Sequence, residues 1–191
     1  PALGVKPMSS SSAPFGLRPV MHQSGVVRPS AYTIATGYAT GILQNQPIKI
    51  GTNGTIEAAA IGDRFIGTFQ GVEYTDTLGK RIYSNQWIAS TSATNIVVYT
   101  TEDPLITYEI QSNAALAVAN IGEQFDFTTI SAGSTTTGLS QLMLDVASSA
   151  SNASLRLINK ASYPDNNWGD TYVIAQVQIS EHQFVADRAA I

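Results

Sequence analysis

Few side chains in this chain are suited to acid–base or metal chemistry. There are two histidines, His22 and His182, set 160 positions apart, and no cysteine. The lack of cysteine excludes disulfides, thiolate metal sites and thiol nucleophiles. Zinc or iron would call for histidines and carboxylates at short spacing, and no His-x-x-x-His or carboxylate–histidine cluster occurs. Glu102-Asp103 and Asp165…Asp170 are candidate calcium ligands, but neither follows the spacing of an EF-hand loop. Turn chemistry accounts for both, because a short carboxylate can close a turn on its own backbone. With fourteen acids in the chain, chance pairs are inevitable, so no glycosidase-type pair is read from proximity. There is no Gly-x-Ser-x-Gly elbow, phosphate loop or Gly-x-Gly-x-x-Gly fingerprint. His22 reads as a polar contact in a proline-broken segment, and His182 as a turn residue after the last strand. No catalytic residue, metal ligand, cofactor or small-molecule substrate is expected.

Composition points the same way. Of 191 residues only 13% are charged, about half the roughly 25% of a typical globular chain. The polar surface must come from hydroxyls and amides, and the chain holds 19 Ser and 19 Thr. A Thr-rich, weakly charged surface suits β-structure and suits burial against neighbours, since interface cores are depleted in charge. The first 56 residues carry Lys6, Arg18, Arg28 and Lys49 and no acid, which leaves that part at +4 and the remainder at −8. Three scattered cations in the first 30 residues are too few for a nucleic-acid footprint. An acidic protein surface is the better partner. The aromatics Phe65, Phe69, Tyr74, Tyr99, Tyr108, Phe125 and Phe127 sit in strand-like runs without interleaved basic residues, which reads as core rather than a base-stacking platform. No run approaches the roughly 18 apolar residues of a membrane span. Pro1 to Ser12 lacks a charged region followed by an apolar one, so no signal peptide is expected there.

The elements organise around the stretch from Ala13 to Gly25. Pro14 and Pro19 forbid a regular helix and push their predecessors toward extended backbone. The stretch still carries Phe15, Leu17, Val20 and Met21, which are costly to leave in water. It therefore reads as extended, apolar and unpaired, in need of a surface to lie on. Residues 1–30 are taken as an N-terminal arm, flexible at the Ser-rich start, and 31–191 as a β-rich body. Short alternating runs separated by turn signals follow, roughly ten by pattern. Asn53-Gly54 predicts a type I′ hairpin turn, a better reading of Asn53-Gly54-Thr55 than a glycosylation site. Ser131 to Gly138 reads as a Gly/Ser/Thr loop. Asn113 to Ile121 is the one short-helix candidate, with Asn113 as cap, alanines inside and Gly122 as stop. The expected fold is all-β, a sandwich or barrel, with a split near 90–105 into two small β subdomains left open.

Several segments, taken in order, resemble one family. The opening Ala13-Pro14-Phe15-Gly16-Leu17-Arg18-Pro19-Val20, with His22 and Gly25, is similar to the start of head decoration, or cement, proteins of tailed bacteriophages. The resemblance continues through Phe65-Ile66-Gly67-Thr68-Phe69-Gln70-Gly71-Val72, Glu102-Asp103-Pro104, Tyr108-Glu109-Ile110-Gln111 and Ala119-Asn120-Ile121-Gly122. It closes with Leu155-Arg156-Leu157, Pro164-Asp165-Asn166 and Ile179-Ser180-Glu181-His182-Gln183-Phe184. The resemblance implies a non-enzymatic, β-rich protein, often trimeric, that clamps neighbouring major capsid protein subunits. It would be made in the host cytoplasm and sit on the outer surface of the phage head. On this reading Phe15, Leu17, Val20 and Met21 fill apolar grooves of the capsid, and Arg18 and Arg28 meet its carboxylates. The alternative is a head appendage that binds a host receptor or glycan, with Trp87, Trp168 and the Asn166-Asn167 loop exposed for sugar stacking.

Overall fold

A computed structural model describes residues 8–128 and 133–190. Residues 1–7 of the Ser-rich leader, and Ser131 and Ala132 of the expected loop, lie outside it. Among the described residues sixteen strands follow one another. They are β1 (Arg18–Met21), β2 (Ser30–Tyr32), β3 (Ile42–Leu43), β4 (Pro47–Ile50), β5 (Ile56–Ala58), β6 (Gly67–Thr75), β7 (Arg81–Ser84) and β8 (Gln86–Trp87). Then come β9 (Thr94–Thr101), β10 (Thr107–Gln111), β11 (Gln124–Phe127), β12 (Gly133–Ser134), β13 (Leu139–Ser140), β14 (Leu144–Ala150), β15 (Leu155–Lys160) and β16 (Ile174–Ile179). The fold is all-β, with two six-stranded antiparallel sheets and, among the described residues, no helix of seven residues or more.

The first sheet runs β1-β10-β16-β15-β11-β14. The second runs β2-β9-β6-β4-β5, with β7 on the far part of β6. Ile56 N–H donates to Thr33 C=O at 2.8 Å, so β5 reaches back to the end of β2 and the second sheet curls round on itself. Each sheet has its own core. Ile34, Ile48, Phe69, Trp87 and Val98 belong to one, drawn wholly from residues 34–98. Tyr108, Phe125, Leu157 and Val177 belong to the other, drawn from residues 106–179 plus Leu17, Ala59 and Phe65. In β16 the alternating Val177, Ala175 and Ile179 all face this second core, as a period of two requires.

The sheets meet where Tyr108 of β10 reaches the β6–β9 pair of the second sheet, whose backbones come close to each other. A Cβ on Gly67 would lie 1.4 Å from the Thr101 carbonyl oxygen, so only glycine fits. Beside it runs a buried hydroxyl chain, Thr68 Oγ1 to Thr101 Oγ1 at 2.9 Å and on to the Tyr108 hydroxyl at 3.2 Å.

Three local expectations change. The Asn113–Ile121 helix shrinks to a 3-10 turn, Val118–Asn120. Asn113 does not cap it. Its side chain instead accepts from Val146 N–H at 3.0 Å and donates to Asp145 at 2.9 Å, tying the segment to β14 and overriding the alanines' helix preference. The hairpin at Asn53-Gly54 is present, pairing Ile50 with Ile56, but its loop is wider than type I′. Gly54 takes φ +74° and Asn53 does not take a positive φ. The third change concerns the proline-broken stretch. It is extended but not unpaired, since β1 pairs antiparallel with β10 (Arg18 opposite Glu109, Pro19 opposite Tyr108). Pro19 is tolerated because β1 is an edge strand.

Candidate functional site

The segment expected to need a foreign surface lies partly on its own body. Ser9 is fully buried, and its Oγ donates to Asp165 C=O at 2.7 Å. Ala13 N–H donates to Gln111 Oε1 at 2.8 Å, and Gln111 Nε2 donates back to Ser11 C=O at 3.0 Å. Gly16, at φ +77°, sits so close to Asn45 and Ser140 that a Cβ would fall 2.7 Å from the Asn45 carbonyl oxygen. Leu17 follows with no exposure at all, inside the first sheet's core.

The six residues expected to make capsid contacts therefore divide. Leu17 is core. Arg18 is committed within the chain: its Nη2 lies 2.6 Å from Glu109 Oε2, and its guanidinium stacks 4.5 Å over the half-buried Phe15 ring. Tyr163 completes this cluster by donating its hydroxyl to Glu109 Oε2 at 2.9 Å. Burial, with the Glu109 hydrogen bond and charge behind it, raises the Tyr163 pKa, so the phenol stays a donor. By contrast, Val20 and Met21 point outward, 37% and 55% exposed, and Arg28 is exposed with no hydrogen bond or ion pair among the described residues.

Arg28 lines a cleft of about 710 Å³ between the 22–32 segment, the 102–106 turn and Phe184. Ser30 Oγ donates to Glu102 at 2.5 Å, and the Tyr32 hydroxyl donates to the same carboxylate. Burial, then the Glu102 hydrogen bond and charge, push the Tyr32 pKa to about 12, so this donor is never lost near neutral pH. His22 Nε2 lies 3.2 Å from Asp103 Oδ2. Around the mouth stand Val26, 52% exposed, and Phe184. Val20 and Met21 in β1 and Val26 at the cleft are thus exposed within seven residues of chain. Sequence reasoning passed over Val26 and Phe184; the Val26-Val27 pair ahead of Pro29 was the available signal.

Other candidates resolve into structure. His182 is fully buried; its Nδ1 accepts from Phe184 N–H at 3.1 Å, which leaves Nε2–H to donate to Glu102 C=O at 3.0 Å. Asp103 accepts from Leu105 N–H at 2.8 Å, and Asp170 accepts from Asn167 N–H at 2.9 Å, both ordinary turn contacts. Among the described residues no three His, Asp or Glu side chains come together as metal ligands. Trp87 is 1% exposed and packs edge-on against Tyr74. Trp168 packs partly buried against the first sheet's core, and Asn166 is fully buried, bonded to Ala161 and Ile174. Neither Trp87 nor Asn166 offers a face to a sugar. Comparison with known proteins adds no relative: no protein-family model, curated protein or solved structure matches the chain.

Proposed function

We propose that this chain is a structural virion protein that binds the outer face of a phage capsid and cements neighbouring major capsid protein subunits. The observation that supports it best is the exposure of Val20, Met21 and Val26 within seven residues of chain, held on a frame pinned by buried contacts on its N-terminal side. Such a group gains by docking, because each side chain leaves water without any loop having to be ordered first. The cleft beside it offers Arg28 to a capsid carboxylate, a pairing strongest when bidentate. The low charge of the whole surface fits a protein packed among neighbours, and the resemblance in the opening segment leads to the same class. No catalytic step is assigned to it. Many copies in a lattice, as a homotrimer or otherwise, would multiply a modest contact.

The test is co-sedimentation with heads of the phage that encodes the chain, stripped of their outer proteins. Wild type should pellet to saturation. Met21→Asp should bind at least about tenfold more weakly, since it would bury a charge where an apolar group belongs. Equal binding of wild type and Met21→Asp would refute the role of this group.

A further inference from the structure

The outer face of the first sheet brings two arginines together without a carboxylate between them. In β15 the core takes Leu155 and Leu157, so Arg156 between them points the other way. Its cross-strand neighbours are Gln178 on β16 and Gln124 on β11. The chain after β16 turns back over this polar row. Arg188 N–H donates to Ser180 C=O at 3.0 Å, and the Arg188 carbonyl accepts from Gln124 Nε2. The Arg188 side chain lies along the row: Nη1 donates to Gln178 Oε1 at 2.6 Å and Nη2 to Pro104 C=O at 2.7 Å. Arg156 Nη1 donates to Ala189 C=O at 3.2 Å. Each guanidinium is thus tied to the other's neighbour, Arg188 to the residue paired with Arg156, and Arg156 to the residue after Arg188.

All these acceptors are neutral. They fix the two cations in place and leave their charge uncompensated. Arg18, Lys49, Arg64 and Arg81 each lie against a carboxylate; among the described residues Arg156 and Arg188 do not. The acids of this region are engaged elsewhere, Asp187 with Arg64 and Asp126 with Ser154. Burial, with the Arg156 charge after it, lowers the Arg188 pKa, as two cations without an anion require. Donors are left over as well. Arg156 Nη2 and Arg188 Nε have no hydrogen bond among the described residues, and Arg156 Nε is buried without a partner.

We propose that Arg156 and Arg188 together bind an oxyanion, either free phosphate or the carboxylate of a docked protein side chain. A guanidinium holds its N–H groups in a rigid fork that suits oxyanion oxygens, and charge-assisted bonds of this kind are about twice as strong as neutral ones. Both side chains are already held by their carbonyl and amide partners, so little freedom is lost on binding. This inference stands apart from the capsid proposal, since it needs only the purified chain.

NMR titration of the arginine Nε–H signals tests it, with inorganic phosphate as the probe and chloride at matched ionic strength as the control. In wild type the Arg156 and Arg188 signals should shift saturably with phosphate and not with chloride. Arg64, held by Asp187, should stay in place. Arg156→Gln and Arg188→Gln, each read on the remaining arginine, should weaken phosphate binding at least about tenfold, the loss of one charge-assisted contact. The wild-type titration needs no variant, so a misfolded one leaves the test standing. Acetate separates the two sources: saturation by phosphate alone assigns a phosphate, and saturation by acetate as well assigns a carboxylate. Neither anion saturating the two signals, a response shared by Arg64, or folded glutamine variants that bind like wild type would each overturn the proposal.

Discussion

At the scale of single residues, the apolar positions of one short stretch have opposite roles. Leu17 is core, and Met21, four residues on, is exposed. Leu17→Ala should cost about 2–5 kcal/mol of unfolding free energy in urea titrations, the usual range for emptying a packed site. Met21→Asp should leave that value within about 0.5 kcal/mol, as exposed substitutions do. Arg18→Ala leaves the buried Glu109 carboxylate with only the Tyr163 hydroxyl on that oxygen. A loss of about 1–3 kcal/mol is expected, moderated because Arg18 is itself part-exposed. His182 gives a pH signature. Burial is the leading cause that holds its pKa below the ordinary 6.5. The unfolded chain then binds the proton more readily, so stability is full above about pH 6.5 and falls as pH drops from there toward the lowered folded value. Denaturant midpoints measured between pH 8 and pH 5 should show that fall in wild type and lose most of it in His182→Gln. The sequence could not separate Leu17 from Met21, because hydrophobicity gives a reason for burial but not the partner. Nor could it assign Arg18, whose acceptor Glu109 lies 91 residues away.

At the scale of elements, the strands of the body were legible because alternation and turn residues agree. β9, β10, β15 and β16 fall on the β-branched or alternating apolar runs at 95–100, 105–111, 155–157 and 173–179. What was not legible depended on distant contacts. β1 hides behind Pro19, a residue that argues against a strand except at an edge, and only the assembled sheet reveals the edge. The alanines of 114–119 favour helix, yet Asn113 bonds to β14 and Leu116 sinks into the core. The N-terminal segment now carries an expectation opposite to that of a free arm. Deleting residues 1–21 removes an edge strand, the buried Ser9 and the core Leu17, and should lower the thermal midpoint well below that of the full chain. Gly16→Ala, strained at φ +77° and crowded by Asn45, should cost about 1–3 kcal/mol on its own.

At the scale of the whole molecule, the two cores and the uneven charge take on a different sense once partners are assigned. Two of the four cations of the N-terminal part are paired with its own body, Arg18 with Glu109 and Lys49 with Asp63 at 2.7 Å. Among the described residues Arg28 stays unpaired beside the exposed Val26, with Val20 and Met21 exposed in the preceding strand. Capsid binding should then depend only weakly on salt, since few exposed charges contribute and apolar burial is not screened. The measurement that bears most directly on this account is the affinity of the purified protein for stripped heads, taken for wild type and for Met21→Asp with Val26→Asp. The account predicts saturable binding by wild type and its near-complete loss in the doubly charged variant, with both proteins equally stable. A wild type that does not bind the heads, or a charged variant that binds them as well as wild type, would contradict it.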